Sequence, residues 1–359
     1  MDEKIQEIIS KNAYMQRMIK RIPEEMVSYY LEKIKDNIVE LPGGIIHSKM
    51  GQNGEYMNFA LPMAELEKKY GISGVSLNKY FEIAYGSTIK RYMQEARMQE
   101  TLLLPLYGRK RAMEMYPGNF HDNDCQEIFE RVLITYEKKG IMEKTGAIMA
   151  ATRQYNMAAI CRAYLKEYPK ACVVNLGCGL DTTFRQVDNG QARAYNLDFP
   201  DAIKVRNELL GDRERETNIA CDLNDISWFD KIDFRQEDGI VFFASGVFYY
   251  FKTEEVKALT VAMAKHFKGG KLAFDATNKK ELKNMHKTWL DGYDDVSVYF
   301  SVDDLNDISG WSGNFKNIVR NKYLSGYRPL DKRYGFILNT VFRNLDRSGM
   351  CQMIETDFA

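Results

Sequence analysis

The chain has 359 residues, enough for two domains and a sizeable core. Its 50 Lys and Arg equal its 50 Asp and Glu, which excludes an overall electrostatic draw to nucleic acid or to an acidic membrane surface. The six cysteines, Cys125, Cys161, Cys172, Cys178, Cys221 and Cys351, are scattered and form no CxxC pair, so no disulfide framework and no metal site is expected, and the thiols read as reduced and cytoplasmic.

The N-terminal stretch "MDEKIQEIISKN" is charged and reads as a helix start, not a signal peptide. "EEMVSYYLEKIKDNIVEL" continues with amphipathic helical patterning. Next comes "ALPMAELEKKYGISGVSLNKYFEIAYGSTIKRYMQEARMQET", in which Gly71-Ile72-Ser73 makes a turn and a helix follows from about Gly74 to Ala84. The spacing of Ala64, Leu66, Tyr70, Ile72, Leu77, Phe81, Gly86, Ile89, Tyr92, Arg97 and Met98 resembles the second helix-turn-helix of AraC-type regulators, over about residues 60–98. That resemblance implies a helix able to enter the major groove of DNA. Only one such motif is recognisable, and its helix offers Ser76, Asn78 and Lys79 with Glu82 opposing them. The clustered basic residues that neutralise phosphates are missing. Residues 1–98 are therefore read as a helical domain that packs on the rest of the chain, covers its pocket or makes a homodimer, with DNA binding as the alternative.

From Ala171 the pattern changes to apolar runs alternating with amphipathic stretches. "ACVVNLG", "RAYNLD", "TNIACD", "GIVFFAS" and "KLAFDAT" read as parallel strands covered on both faces. The run "GIVFFASGVFYYF" is too short to span a bilayer, so no membrane segment is expected. In "TEEVKALTVAMAKHF", Thr253 is a helix cap, Glu254 and Glu255 occupy the first turn, and Val256, Leu259, Met263 and Phe267 line one face. "CQMIETDF" reads as a last strand, antiparallel at the sheet edge. This alternation predicts an α/β doubly wound sheet.

In such a sheet ligands bind beyond the carboxyl ends of the strands. "ACVVNLGCGLDTTF" breaks there into Gly177 and Gly179, which permit a sharp turn and leave no Cβ in a ligand's way. The third fingerprint glycine is replaced by Thr182, Asp181 sits beside it, and no lysine follows, which excludes a phosphate cradle. A nucleoside cofactor without phosphates, S-adenosylmethionine, fits better. Asp198 ends the second strand, where a carboxylate can accept from both ribose hydroxyls, and Asp222 ends the third, within reach of an adenine amino group. The plainer reading of these acids is that they cap the helices that follow.

Seven stretches in order, "QETLLLPLYGRKRA", "AATRQYNMAAICRAYL", "VVNLGCGLDTTF", "YNLDFPDAIKVR", "CDLNDISWFDKI", "FFASGVFYYF" and "GFILNTVFRNLDRSGMCQMIETDF", resemble the leucine carboxyl methyltransferase family with its polyketide-type O-methyltransferase relatives, over residues 99–359. The resemblance implies a class I methyltransferase-like fold that uses S-adenosylmethionine to methylate a carboxylate of a small molecule or peptide end. It also implies a cofactor turn at Gly177 and Gly179, a ribose contact at Asp198 and an adenine contact at Asp222. Arg153 matches the family arginine that grips the cofactor's carboxylate, a geometry suited to a guanidinium fork, and Arg109 is a second basic partner. Ser245 stands where relatives carry an acid, so either cofactor binding is weakened or Ser245 contributes a neutral hydrogen bond in its place. Relatives also place an arginine at the position of Gln186, and no role is carried to it.

A carboxylate acceptor is already ionised at neutral pH and needs no general base, so no catalytic residue is named. A hydroxyl acceptor would need one, with His121, His266 and His286 as candidates. Tyr249 and Tyr250 are read either as pocket lining or as core. The segment "DGYDDVSVYFSVDDLNDISGWSGNFKNIVRNKYLSGYRPLDKRYG" reads as an irregular insertion that shapes the acceptor site.

Overall fold

A computed structural model describes residues 38–41, 45–48, 103–131, 141–211, 213–288 and 297–359. The chain divides into two compact units, Met1–Thr101 and Leu102–Ala359. In the first, Ile38–Leu41 and Ile45–Ser48 pair as an antiparallel hairpin. The segment resembling a helix-turn-helix lies outside the described residues.

The second unit is built on a seven-stranded sheet: β1 Cys172–Leu176, β2 Arg193–Asp198, β3 Glu216–Ala220, β4 Ile240–Ala244, β5 Lys271–Thr277, β6 Phe315–Lys322 and β7 Cys351–Phe358. Their order across the sheet is β3-β2-β1-β4-β5-β7-β6. The first five are parallel, and β7 runs antiparallel between β5 and β6. The helices are α1 at 103–115, α2 Asn123–Arg131, α3 Ile141–Glu167, α4 Pro200–Leu210, α5 Thr253–His266, α6 Lys279–Thr288, α7 Leu305–Ser309 and α8 Gly335–Ser348.

Period-two side-chain alternation gives each central strand two buried faces. In β1, Cys172, Val174 and Leu176 join one core while Val173 joins the other. In β4, Ile240, Phe242 and Ala244 join the first core while Val241 and Phe243 join the second. Trp228 anchors the first core, fully buried among Phe229, Phe242 and Phe267, with its indole N–H donated to the Leu223 carbonyl at 3.3 Å. The face of α5 made by Val256, Leu259 and Met263, with Phe267 beyond its end, is buried as expected, each side chain contributing about 1.5–3 kcal/mol of transfer free energy.

Three expectations need correction. Thr253 is the first helical residue of α5 and not its cap: Lys252 holds that position, and its backbone N–H donates to Glu255 at 2.7 Å, which satisfies a donor the helix leaves free. "CQMIETDF" is not at the edge: β7 is flanked on both sides, and β6 takes the edge. The stretch read as irregular contains β6, whose pattern was obscured because mostly exposed residues give an edge strand no continuous apolar run.

Candidate cofactor site

Four loops meet beyond the carboxyl ends of the central parallel strands: the glycine turn after β1, Asp198 at the tip of β2, Asp222 two residues past β3, and Ser245-Gly246 directly after β4. The strand order that reverses direction at β1 and β4 opens a crevice at this edge.

Gly177 and Gly179 have φ of 64° and 43°, in the left-handed region that favours glycine. A Cβ on Gly177 would lie 2.6 Å from Cγ2 of Val247. Bareness at 177 therefore serves the packing of the β1 and β4 loops on each other.

The turn is fixed from behind by two buried guanidinium groups. Arg206, on the buried face of α4, donates from Nη1 to the carbonyls of Gly179 at 3.0 Å and Asp181 at 2.7 Å, and from Nε to Asn218 at 3.1 Å. Its Nη2 faces Glu216 at 3.4 Å. Arg109 donates to the Leu180 carbonyl at 3.0 Å and pairs with Asp122 at 2.9 Å. Burial opposes the charge on Arg109, but Asp122, Cys125 and Asp181 together outweigh it and its pKa stands above the ordinary value. Asp122 also accepts from Gln154 at 3.1 Å, from Thr182 at 3.0 Å and from the Cys125 N–H at 3.0 Å. The structure thus places Arg109 beneath the turn, with its side chain 6 % exposed.

Asp198 faces the turn. Its Oδ2 accepts the Gly179 N–H at 2.7 Å and its Oδ1 accepts the Phe199 N–H at 2.8 Å. A carboxylate offers about four lone-pair sites, so each oxygen keeps capacity for another donor. Burial pushes its pKa up, opposed by those two amides and by Arg206. Asp222 is exposed, and its Oδ1 accepts the Asn224 N–H at 2.9 Å. Asp181 accepts the Thr183 N–H at 2.8 Å, at the start of a short 3-10 turn. Asp222 thus closes a local turn while Asp225 caps the 3-10 helix that follows, and Asp181 bonds the first residue of its 3-10 helix from one position before the cap Thr182, so neither acid is itself a helix cap.

On the other side of the crevice, Arg153 projects from α3 into a group of loops after β4. Gly246, with φ of 75°, leaves room for it: a Cβ there would lie 2.3 Å from Arg153 Nη1. The same nitrogen faces Asp275 of β5 at 3.4 Å. Asp275 also accepts the Gly246 N–H at 2.6 Å and the Tyr249 hydroxyl at 2.9 Å. Burial opposes the charge on Arg153, and Asp275 together with Tyr323, Tyr249 and Tyr250 outweighs it, so its pKa is raised. Tyr249 is buried and its pKa is pushed well above the ordinary value by burial and then by Asp275, so it keeps its proton and donates a hydrogen bond to Asp275. Ser245 is half-buried directly before Gly246, and Tyr250 is exposed.

His121 is exposed before α2. His266 closes α5 against Phe229 and Phe267, shortly before β5 begins, which puts it at the amino edge of the sheet and away from the crevice. The side chain of His286 lies outside the described residues. Among the described residues no cluster of His, Cys, Asp and Glu could hold a metal, and no helix is long and apolar enough to cross a membrane.

Arg206, Asp122, Asp275 and Asn175 were not singled out by the sequence reading. Arg206 left a signal: it follows Ala202, Ile203 and Val205 and precedes Leu209 and Leu210 on the buried face of α4, so a charge occupies a core position. Asp122 and Asp275 are single polar residues with partners remote in sequence. Asn175, at the end of β1, donates to Asp181 at 3.2 Å and keeps a buried carbonyl oxygen without a partner.

The sheet order and the crevice define a class I methyltransferase-like fold, a class whose methyl donor is S-adenosylmethionine. Comparison with known proteins adds that residues 119–264 match the family model described as leucine carboxyl methyltransferase. The tetracenomycin polyketide synthesis O-methyltransferase TcmP of Streptomyces glaucescens is 25% identical over 181 residues, 50% of this chain and 66% of that protein. Solved structures similar to the chain are remote. The plantazolicin methyltransferase BpumL in complex with SAH has 13% identity and a TM-score of 0.40, covering 73% of this chain and 99% of that one. Magnesium protoporphyrin IX methyltransferase from Synechocystis PCC 6803 with bound SAH has 14% identity and a TM-score of 0.38, covering 66% and 94%.

Proposed function

We propose that this chain is an S-adenosylmethionine-dependent O-methyltransferase that acts on a carboxylate of a small molecule or peptide end. The observation that carries the reading is the order of charge along the crevice. An anion with spare acceptor capacity, Asp198, stands at the tip of β2, and a guanidinium, Arg153, stands by the loop after β4 with the glycine turn of β1 between them. The cofactor has the complementary order, a ribose diol toward one end and a carboxylate at the other. Two neighbouring strand spacings separate the tips of β2 and β4, about 10 Å.

The residues present fit the group. Asp198 would accept both ribose hydroxyls, and Asp222 and Ser245 would add contacts at the adenine and near the sulfonium end. Arg153 would take the carboxylate with the fork that Gly246 leaves room for. When bound, the cofactor supplies an electrophilic methyl group on sulfur. The protein's part is to hold the acceptor oxygen in line with that methyl and to exclude water. Because an acceptor carboxylate is already ionised, no base is required, which agrees with a protonated Tyr249 and with His266 at the opposite edge of the sheet. The family description and the name of TcmP support O-methylation.

Calorimetry of the full chain with S-adenosylmethionine and S-adenosylhomocysteine tests the cofactor, and a methyl-transfer assay over a panel of carboxylic acids and C-terminal peptides tests the acceptor. Silence at millimolar cofactor would sink the first part; turnover confined to hydroxyl acceptors would sink the second. Among the described residues nothing favours the alternative of a DNA-binding regulator.

A further inference from the structure

Asp275 is 2% exposed in the middle of the sheet, where a carboxylate is costly unless it is fully engaged. Its three donors come from three separate elements: the Gly246 N–H from the loop after β4, the Tyr249 hydroxyl from the turn beyond it, and Arg153 Nη1 from α3. The first two bonds are short, at 2.6 and 2.9 Å, and the contact with Arg153 is long, at 3.4 Å. The carboxylate therefore grips the loop firmly and the guanidinium loosely. Among the described residues Nη1 is the nitrogen of Arg153 that has a hydrogen-bonded partner, and the side chain is 20% exposed. Most of the fork is left to a ligand, while Gly246 and Asp275 restrict where the fork can lie.

Resting on the reading of Arg153 as the carboxylate-binding group, we propose that Asp275 and Gly246 are positioning residues that set the Arg153 guanidinium against the amino-acid end of the cofactor and have no part in binding its nucleoside. Asp275 is closed to solvent and filled by three donors, so it is not a base for the acceptor. An amide in its place cannot serve all three donors. With its oxygen toward Arg153 and Tyr249, its NH2 opposes the Gly246 N–H, and in the other orientation both side chains lose their acceptor. Two effects then compete. Loss of the anion leaves Arg153 more attractive to a carboxylate, and loss of the network lets the fork wander. The bidentate grip depends on orientation, so the second effect wins.

The test uses two ligands on the full chain: S-adenosylhomocysteine, and 5′-methylthioadenosine, which keeps the nucleoside and thioether but lacks the amino-acid end. Asp275→Asn should weaken S-adenosylhomocysteine about tenfold and leave methylthioadenosine within about twofold, the size expected for one charge-assisted contact. Gly246→Ala changes no charge and drives a methyl into the guanidinium, so it should show the same selectivity. Retained methylthioadenosine binding certifies folding in each variant. Equal loss of both ligands in Asp275→Asn and Gly246→Ala would reduce the pair to a structural role. Tighter S-adenosylhomocysteine binding by Asp275→Asn would make Asp275 a competing anion. Either result overturns the proposal. Failure of the native chain to bind either ligand would instead overturn the cofactor reading on which it rests.

Discussion

Asp198 carries most of the weight at the level of single residues. Its two oxygens hold the glycine turn and the start of α4, and burial raises its pKa. The consequence for stability has a definite sign. The folded-state value lies above the unfolded one, so between the two values the folded chain binds more protons, and this group's contribution to stability falls as pH rises through that window. Ligand binding should respond the other way, because hydroxyl donors need the ionised acceptor. Cofactor affinity measured by calorimetry should therefore weaken on acidification, beginning above the ordinary carboxylate range. Asp198→Ala should lose at least about 30-fold in affinity, as two hydrogen bonds to a charged group disappear, and should flatten that pH dependence. Undiminished binding by this variant would remove Asp198 from the site. Arg206 is the structural counterpart. Arg206→Met would leave two turn carbonyls without their donor and unbalance Glu216, at a cost of about 3 kcal/mol. A lowered urea midpoint with an unchanged slope is the expected result.

Between elements, the contact that matters is the one joining the loops after β1 and β4. Gly177 has positive φ and faces Val247, so Gly177→Ala combines backbone strain with a clash and should cost about 1–3 kcal/mol. Val247→Ala removes the clashing methyl groups. In the double variant it should recover about 1 kcal/mol of that loss, a coupling readable from a double-mutant cycle in urea. Strict additivity would mean that strain at 177 is purely local. The parallel strands were legible because burial on both faces writes a continuous apolar run into β1 and β4. The edge strand β6 was not legible, since its mostly exposed residues carry no such signature. The position of β7 was misjudged for a related reason: pairing with β6 moves it inward, and a strand's neighbours are not encoded in its own pattern.

For the second unit as a whole, the two cores leave four cysteines buried, Cys125, Cys161, Cys172 and Cys178, while Cys221 and Cys351 are half-buried. Burial pushes the Cys125 thiol up to about 12 and the Cys172 and Cys221 thiols up to about 11. Reaction needs the thiolate, so the native protein should react sluggishly with a disulfide reagent at neutral pH. A burst from the four buried thiols should coincide with the unfolding transition followed by circular dichroism. Rapid reaction of all six in native buffer would contradict the packing described for both faces of the sheet.

Composition and pattern alone determined the class of fold, the first five strands, the glycine turn and the acids at the strand tips, because these depend on local spacing: apolar runs, glycine breaks and the residue that ends each strand. Only the tertiary structure decided what those residues touch. It turned Arg109 inward to Asp122 and Leu180, set Val247 against Gly177, and brought Asp275 to Arg153 across 122 positions of chain. A buried charge is tolerated only where the fold supplies partners, and those partners come from elements distant in sequence, so no local pattern announces them.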